Sequence, residues 1–131
     1  MSIGARNAPS SEERRLVTIL FADVVASTAL SGALDPEHLR EQMARFFAVA
    51  REQIERYGGT VEKFIGDAVM AVFGLRTLRE DDPERAVQAA IATRSRLRPL
   101  IEAGMAPEIR IGVSTGEVVA NPRAIGQGEF M

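Results

Sequence analysis

The sequence predicts an α+β domain of the ferredoxin-like type, in which two helices cover one face of an antiparallel sheet. Two stretches repeat apolar residues at steps of three and four, as helices do, and four stretches read as strands. Their order is β-α-β-β-α-β, the split βαβ arrangement. A right-handed crossover would lay the first strand parallel to the second, and the third would return between them. The 131 residues suit one domain.

The first half of the chain begins with residues 1–15, which lack hydrophobic periodicity and are expected to form a flexible leader. Residues 16–131 would form the domain. A nearly continuous apolar run over residues 16–25 predicts a central strand covered on both faces. Asp35 and Pro36 then open a helix predicted over residues 36–57, which Gly58 and Gly59 terminate.

The second half begins with a predicted β-hairpin over residues 60–74, whose turn is Gly66-Asp67. Asp82-Pro83 would start the second helix, and Pro99 should end or kink it. Residues 109–116 alternate as a fourth strand, and residues 125–131 look like the start of a returning strand that would complete a C-terminal hairpin.

Composition excludes several kinds of partner and site. The net charge of −2 gives no electrostatic footprint for nucleic acid, and no apolar run is long enough for membrane insertion. The chain has no cysteine, and its single histidine, His38, is expected to be a solvated helix residue. Any bound metal would therefore take oxygen ligands. The absence of a secretory signal pattern predicts a cytoplasmic protein.

Two acidic residues, Asp23 and Asp67, follow apolar strand stretches. In the predicted topology the end of the first strand meets the start of the third, so both carboxylates would lie at one edge of adjacent strands. Carboxylates that close repel each other unless a cation or a proton lies between them. With oxygen ligands alone, Mg²⁺ or Mn²⁺ is the expected occupant. The alternative is that Asp67 is simply a turn residue.

The two acidic motifs resemble those of a known family. The stretch F-A-D-V-V-A-S-T is similar to the first metal-binding motif of class III adenylate and guanylate cyclase domains, and V-E-K-F-I-G-D-A-V-M-A-V-F-G to the second. The resemblance covers about residues 14–131. It implies that Asp23 and Asp67, with the backbone carbonyl of Val24, hold two Mg²⁺ or Mn²⁺ ions per site.

The resemblance also implies sites for the nucleotide. Backbone amides of Ala26, Ser27 and Thr28 would receive the triphosphate, with help from Arg110. The position of Lys63 is similar to that of the family residue that recognises the purine base, and a lysine at that position implies specificity for adenine. The implied reaction is the conversion of ATP to 3′,5′-cyclic AMP and pyrophosphate. Family domains form head-to-tail dimers, so a homodimer is expected.

Some alternatives stay open. Lys63 could be a solvated strand residue, and Arg110 could pair with a neighbouring acid. Ala26 replaces the family's usual glycine, and the family's transition-state Asn and Arg lie around or beyond Met131. The resemblance therefore implies a C-terminally incomplete domain that is inactive as this chain. A non-catalytic nucleotide-binding regulatory module and a ferredoxin-like interaction domain remain as other functions.

Overall fold

The structure, a computed structural model, describes residues 13–25, 35–75 and 78–120. Within them the predicted order of helices and strands is confirmed. The predicted returning strand over 125–131 lies outside the described residues, as do residues 1–12 of the predicted leader. The elements are β1 (Glu13–Val24), α1 (Pro36–Arg56), β2 (Thr60–Ile65), β3 (Ala68–Phe73), α2 (Asp82–Glu102) and β4 (Ile109–Ala120).

The four strands form one sheet in the order β2-β3-β1-β4, and every neighbouring pair is antiparallel. Because β1 and β2 both run against β3, they point in the same direction. β3 thus fills the gap between them, as the crossover argument predicts. β1 is a central strand, with β4 on its other side.

The main core lies between the sheet and both helices. Alternate residues of β1 face the helices and are buried, because side chains on a strand point to opposite faces in turn. Phe46 and Ile54 of α1 and Leu97 of α2 are fully buried against them. Burying each such side chain stabilises the fold by about 1.5–3 kcal/mol. The sheet's contribution to this core is Leu20, Ala22, Val24, Val69, Ala71 and Phe73.

The opposite face of the sheet is packed differently. Val17, Met70, Val72 and Leu75 form a smaller buried cluster there. Neither described helix covers this face, and Phe21 near the end of β1 remains 40% exposed. The prediction that β1 is fully covered on both faces is therefore wrong at Phe21. We call this surface the open face.

The helix starts follow the predicted signals closely. Asp35 caps α1, since its Oδ1 accepts a hydrogen bond from the His38 backbone N–H at 2.8 Å. α2 begins one residue earlier than predicted, with Asp81 at the N-cap position. Asp82 is buried and accepts instead from the Arg79 backbone N–H at 2.9 Å. Neither described helix is long and apolar enough to cross a membrane.

Two element ends differ from those the sequence suggested: α2 does not end at Pro99, and the leader does not extend to residue 15. α2 continues through Pro99 to Glu102, and the carbonyl of Pro99 still accepts from the Ala103 N–H at 3.1 Å. β1 begins at Glu13, so residues 13–15 belong to the sheet rather than to a leader. Polar side chains hide this start from a hydrophobicity pattern. Arg15 Nη1 donates to the carbonyls of Gly74 (3.1 Å) and Leu75 (2.6 Å), which ties the start of β1 to the end of β3.

Candidate functional site

The two acidic strand ends lie side by side. Asp23 is opposite Ala68 in the β1–β3 ladder, and the Val24 N–H donates to the carbonyl oxygen of Asp67 with an N···O distance of 3.4 Å. Gly66 has a φ of 58°, which allows the two-residue turn that leaves Asp67 exposed at the hairpin tip. Asp23 is half-buried. The backbone therefore brings Asp23 and Asp67 together at one end of the two central strands, as predicted from the topology.

The side chains at this end of the strands offer carboxylate oxygens as possible metal ligands. Among residues 13–25, 35–75 and 78–120, no group of three or more histidine, cysteine or acidic side chains is placed to hold a metal ion. Two carboxylates alone would leave most coordination positions of Mg²⁺ or Mn²⁺ to backbone carbonyls, water and ligand oxygens. This is how Mg²⁺ is usually held beside phosphates. The pair fits such an ion, and the roles of Asp23, Asp67 and Val24 stay predictions.

Arg110 is placed directly beside the first of these acids. It is opposite Asp23 in the β1–β4 ladder, and its Nη2 is 3.5 Å from Asp23 Oδ2. The Arg110 side chain is 69% exposed and that of Asp23 is 30% exposed. The pairing with a neighbouring acid, left open by the sequence, therefore occurs. A role of Arg110 in holding triphosphate stays a prediction.

Lys63 reaches the same face as Asp23 through an irregularity of β2. Val61 pairs with Ala71 and Lys63 with Met70, so Glu62 is an extra residue between them. Such a β-bulge reverses which face the following side chains occupy. Met70 in turn pairs with Phe21, two residues before Asp23. Lys63 and Asp23 are separated by two interstrand spacings across the sheet and by two residues along the strand direction. Their Cα atoms are therefore about 12 Å apart.

Sequence reasoning did not single out Glu62, which is only 3% exposed. A charged residue at that point interrupts the apolar alternation of β2, and this interruption was the available signal. The predicted triphosphate-binding residues Ala26, Ser27 and Thr28 lie outside the described residues. The structure therefore brings Asp23, Asp67, Arg110 and Lys63 to neighbouring parts of the sheet and leaves that loop untested.

Comparison with known proteins agrees with the resemblance seen in the sequence. The family model described as "Adenylate and Guanylate cyclase catalytic domain" matches residues 10–129. In a similar solved structure, the guanylyl cyclase Cya2, the sequence is 35% identical and the TM-score is 0.72; the match covers 82% of this chain and 57% of that one. The adenylyl cyclase CyaB from P. aeruginosa is 31% identical with a TM-score of 0.74, over 82% and 59%.

A curated relative has the same limited overlap. The uncharacterised protein Rv1319c of Mycobacterium tuberculosis is 34% identical over 111 residues, which is 82% of this chain and 20% of that protein. The chain thus spans a fifth of this relative and less than two thirds of the two solved cyclases. Those two carry both specificities in their names, one guanylyl and one adenylyl.

Proposed function

Because the chain belongs to the family of adenylate and guanylate cyclase catalytic domains, we propose that the protein converts ATP to 3′,5′-cyclic AMP and pyrophosphate. One observation carries the proposal. Asp23 and Asp67 lie next to each other at the ends of adjacent strands, joined through the Val24 amide, which supports a shared role of both carboxylates in binding metal ions. In the reaction the ribose 3′-oxygen forms a bond to the α-phosphorus, the bond to the β-phosphate oxygen breaks, and pyrophosphate leaves.

The acids would hold two divalent cations, Mg²⁺ or Mn²⁺, with the Val24 carbonyl as a further ligand. When bound, these ions supply a lower pKa for the 3′-hydroxyl and neutralise charge on the triphosphate. Asp23 is fixed by ladders on both sides, to β3 and to β4, so its carboxylate is held on rigid elements. Asp67 comes from a tight turn whose backbone is tied to β1. The backbone at both proposed ligands is thus fixed by neighbouring strands.

The triphosphate would contact Arg110 and the backbone amides of Ala26, Ser27 and Thr28. Arg110 is exposed, adjoins Asp23, and carries a planar guanidinium that suits phosphate oxygens. Its position beside the acidic pair places positive charge where a polyanion would lie next to cations. This arrangement would orient the α-phosphate toward the ribose.

The choice of ATP over GTP rests on Lys63. Family membership leaves this choice open, since Cya2 is a guanylyl and CyaB an adenylyl cyclase. An ammonium donates hydrogen bonds and accepts none, so it can pair with the ring acceptors of adenine but not with the N1 and N2 hydrogens of guanine. Lys63 on the open face is therefore expected to favour adenine.

A homodimer would assemble the complete site. Cyclase domains usually act as dimers, and in a head-to-tail pair each site would combine the acids of one protomer with Lys63 of the partner subunit. Asp23 and Lys63 both lie on the open face, so the open faces of two copies can meet around a two-fold axis with both groups inside. Each dimer would then contain two equivalent sites.

The test uses the full-length protein. Purified protein is incubated with Mn²⁺ and ATP or GTP, and cyclic nucleotide is measured by mass spectrometry. Asp23→Asn or Asp67→Asn should lower kcat/KM by about 100-fold or more, which corresponds to about 2.7 kcal/mol of lost transition-state stabilisation. Asp35→Asn is the matched control, because it makes the same chemical change at an exposed helix cap where asparagine serves equally well.

Other outcomes would favour the other functions. Mn²⁺-dependent nucleotide binding without any cyclic product would indicate a non-catalytic regulatory module. Absence of Mn²⁺-dependent nucleotide binding would indicate an interaction domain in which Asp67 is only a turn residue. Equal turnover by the wild type and both Asn variants would rule out the proposed metal ligands.

A further inference from the structure

One oxygen atom in the proposed site already has a cationic neighbour. Asp23 Oδ2 lies 3.5 Å from Arg110 Nη2, and the antiparallel register sets these two residues directly opposite each other. Opposed residues have Cβ atoms about 4.5–5.5 Å apart, so the backbone keeps the guanidinium of Arg110 within reach of this carboxylate. Asp23 is also the acid expected to bind a divalent cation. The guanidinium of Arg110 and the proposed metal ion would thus share the same carboxylate.

The two cations would compete for that carboxylate. A divalent ion at Asp23 would repel a guanidinium a few ångströms away, because like charges at that distance destabilise each other. Arg110 is able to leave, since its side chain is 69% exposed. In the described part of the chain, Asp23 is the only acceptor recorded for its guanidinium. Movement of Arg110 would therefore break no other hydrogen bond or ion pair recorded among the described residues.

We propose that Arg110 is a cation-displaced latch: it occupies Asp23 while no metal is bound, and metal binding releases it toward the phosphates. This inference rests on the proposed function, because it requires that Asp23 hold a cation. As a consequence, Arg110 has opposite effects on the affinity for the metal alone and on the affinity for the metal with a nucleotide. Arg110 opposes binding of the metal alone, but it favours binding of the metal with a nucleotide, since the triphosphate gives the released guanidinium a new partner. By linkage, nucleotide binding and metal binding then reinforce each other through this residue.

The first measurement is Mn²⁺ affinity in the absence of nucleotide, followed by the electron paramagnetic resonance signal of the free ion. Arg110→Gln should bind Mn²⁺ about two- to fivefold more tightly than the wild type, which is the effect expected for losing an exposed ion pair. The same variant should bind Mn²⁺ together with a fluorescent ATP analogue more weakly than the wild type. Opposite signs in the two titrations are the signature of the latch.

The matched control is Arg14→Gln. Arg14 lies on β1 and, like Arg110, makes an exposed ion pair between β1 and β4, in this case with Glu117 at 3.0 Å. It is nine residues from Asp23, about 30 Å along the strand, and beyond the reach of its charge at physiological salt. Arg14→Gln should leave both affinities unchanged. A tightening of Mn²⁺ binding equal to that of Arg110→Gln would overturn the proposal.

A second measurement observes the release directly. In protein labelled with ¹⁵N-arginine, titration with diamagnetic Mg²⁺ should shift the Arg110 guanidinium signal, assigned from Arg110→Lys, while the Arg14 signal stays in place. The shift should vanish in Asp23→Asn. A stationary Arg110 signal in protein that does bind Mg²⁺ would overturn the latch alone. Equal Mn²⁺ binding by the wild type and Asp23→Asn would instead overturn the cation site, and the latch with it.

Discussion

Lys63 lies on the same face of the sheet as Asp23 because β2 contains one extra residue, Glu62. In a regular strand, Val61 and Lys63 would point to the same face, since side chains alternate with a period of two. Val61 packs against the main core, so a regular β2 would turn Lys63 toward the helices. The bulge sends the apolar residue inward and the lysine to the open face. The proposed purine contact therefore depends on a local irregularity of the backbone.

Reversing the hydrogen-bonding character of residue 63 should change nucleotide preference. Lys63→Glu is expected to lower the ratio of kcat/KM for ATP to that for GTP by about tenfold or more, because a carboxylate accepts the hydrogens that guanine offers and adenine lacks. Lys63→Met is the control: it removes the donor without supplying an acceptor, so ATP turnover should fall with no gain for GTP.

Lys63 is also the only lysine in the chain, which allows a binding measurement that does not depend on turnover. Reductive methylation with ¹³C labels its ε-amine and the N-terminus alone. With Mg²⁺ as the only divalent cation, addition of ATP should shift the lysine signal more than addition of GTP at the same concentration does. Identical shifts with the two nucleotides would contradict a base-reading role.

The fold could be predicted because its decisive signals are long and redundant. Two helical repeats, an intervening hairpin and the right-handed crossover rule leave few ways to order four strands. The same topology brings Asp23 to Asp67. Such patterns do not give the register between β1 and β4, so they could not predict which acid Arg110 contacts.

Some of the buried helix positions could not be predicted from the apolar repeats. The polar residues Gln42 and Gln53 are buried in α1, although the apolar stripe pointed to neighbouring positions. In α2, Ala89 is buried while Ile91 is 61% exposed. Which side of a helix faces the sheet is settled by packing against the other elements, and one small residue can be chosen over a larger one for a close approach.

A tight contact at the start of β2 predicts a destabilising substitution. A Cβ added at Gly59 would lie 2.6 Å from Phe73 Cζ and 2.9 Å from Ile54 Cγ2, and both side chains are fully buried. Gly59→Ala should therefore lower the free energy of unfolding by about 1–3 kcal/mol, measured by urea denaturation. At Gly116 no described atom beyond the adjoining residues lies within 4 Å of the added group, so Gly116→Ala should change the free energy of unfolding by less than about 0.5 kcal/mol.

The overpacking at Gly59 can be checked by a double-mutant cycle. Phe73→Leu shortens the side chain nearest to the added methyl group, so the cost of Gly59→Ala should be smaller in that background than in the wild type. Purely additive effects would mean that the two residues do not compete for the same space.

Pro99 predicts a stabilising substitution. It lies inside α2, where it lacks the N–H that would otherwise bond to the carbonyl four residues earlier. Pro99→Ala should raise the free energy of unfolding by about 1–2 kcal/mol, after allowing for the greater freedom of the unfolded chain. Arg96→Ala, at an exposed position of the same helix, should change stability by less than about 0.5 kcal/mol. A loss of stability in Pro99→Ala would show that the proline relieves strain in this turn.

The shared site of the proposed dimer predicts rescue between two inactive variants. Asp23→Ala lacks a metal ligand and Lys63→Ala lacks the base contact, so each should be inactive as a homodimer. In a mixed head-to-tail dimer, one site contains both substituted residues, and the other site contains the unchanged Asp23 of one protomer and the unchanged Lys63 of the other. Random exchange makes about half of the dimers mixed, each with one intact site of two, so activity should return to at most about a quarter of the wild type. If Asp23 and Lys63 served one site within a single chain, every site would keep one substitution. Continued inactivity despite subunit exchange, verified by native mass spectrometry, would then exclude the head-to-tail arrangement.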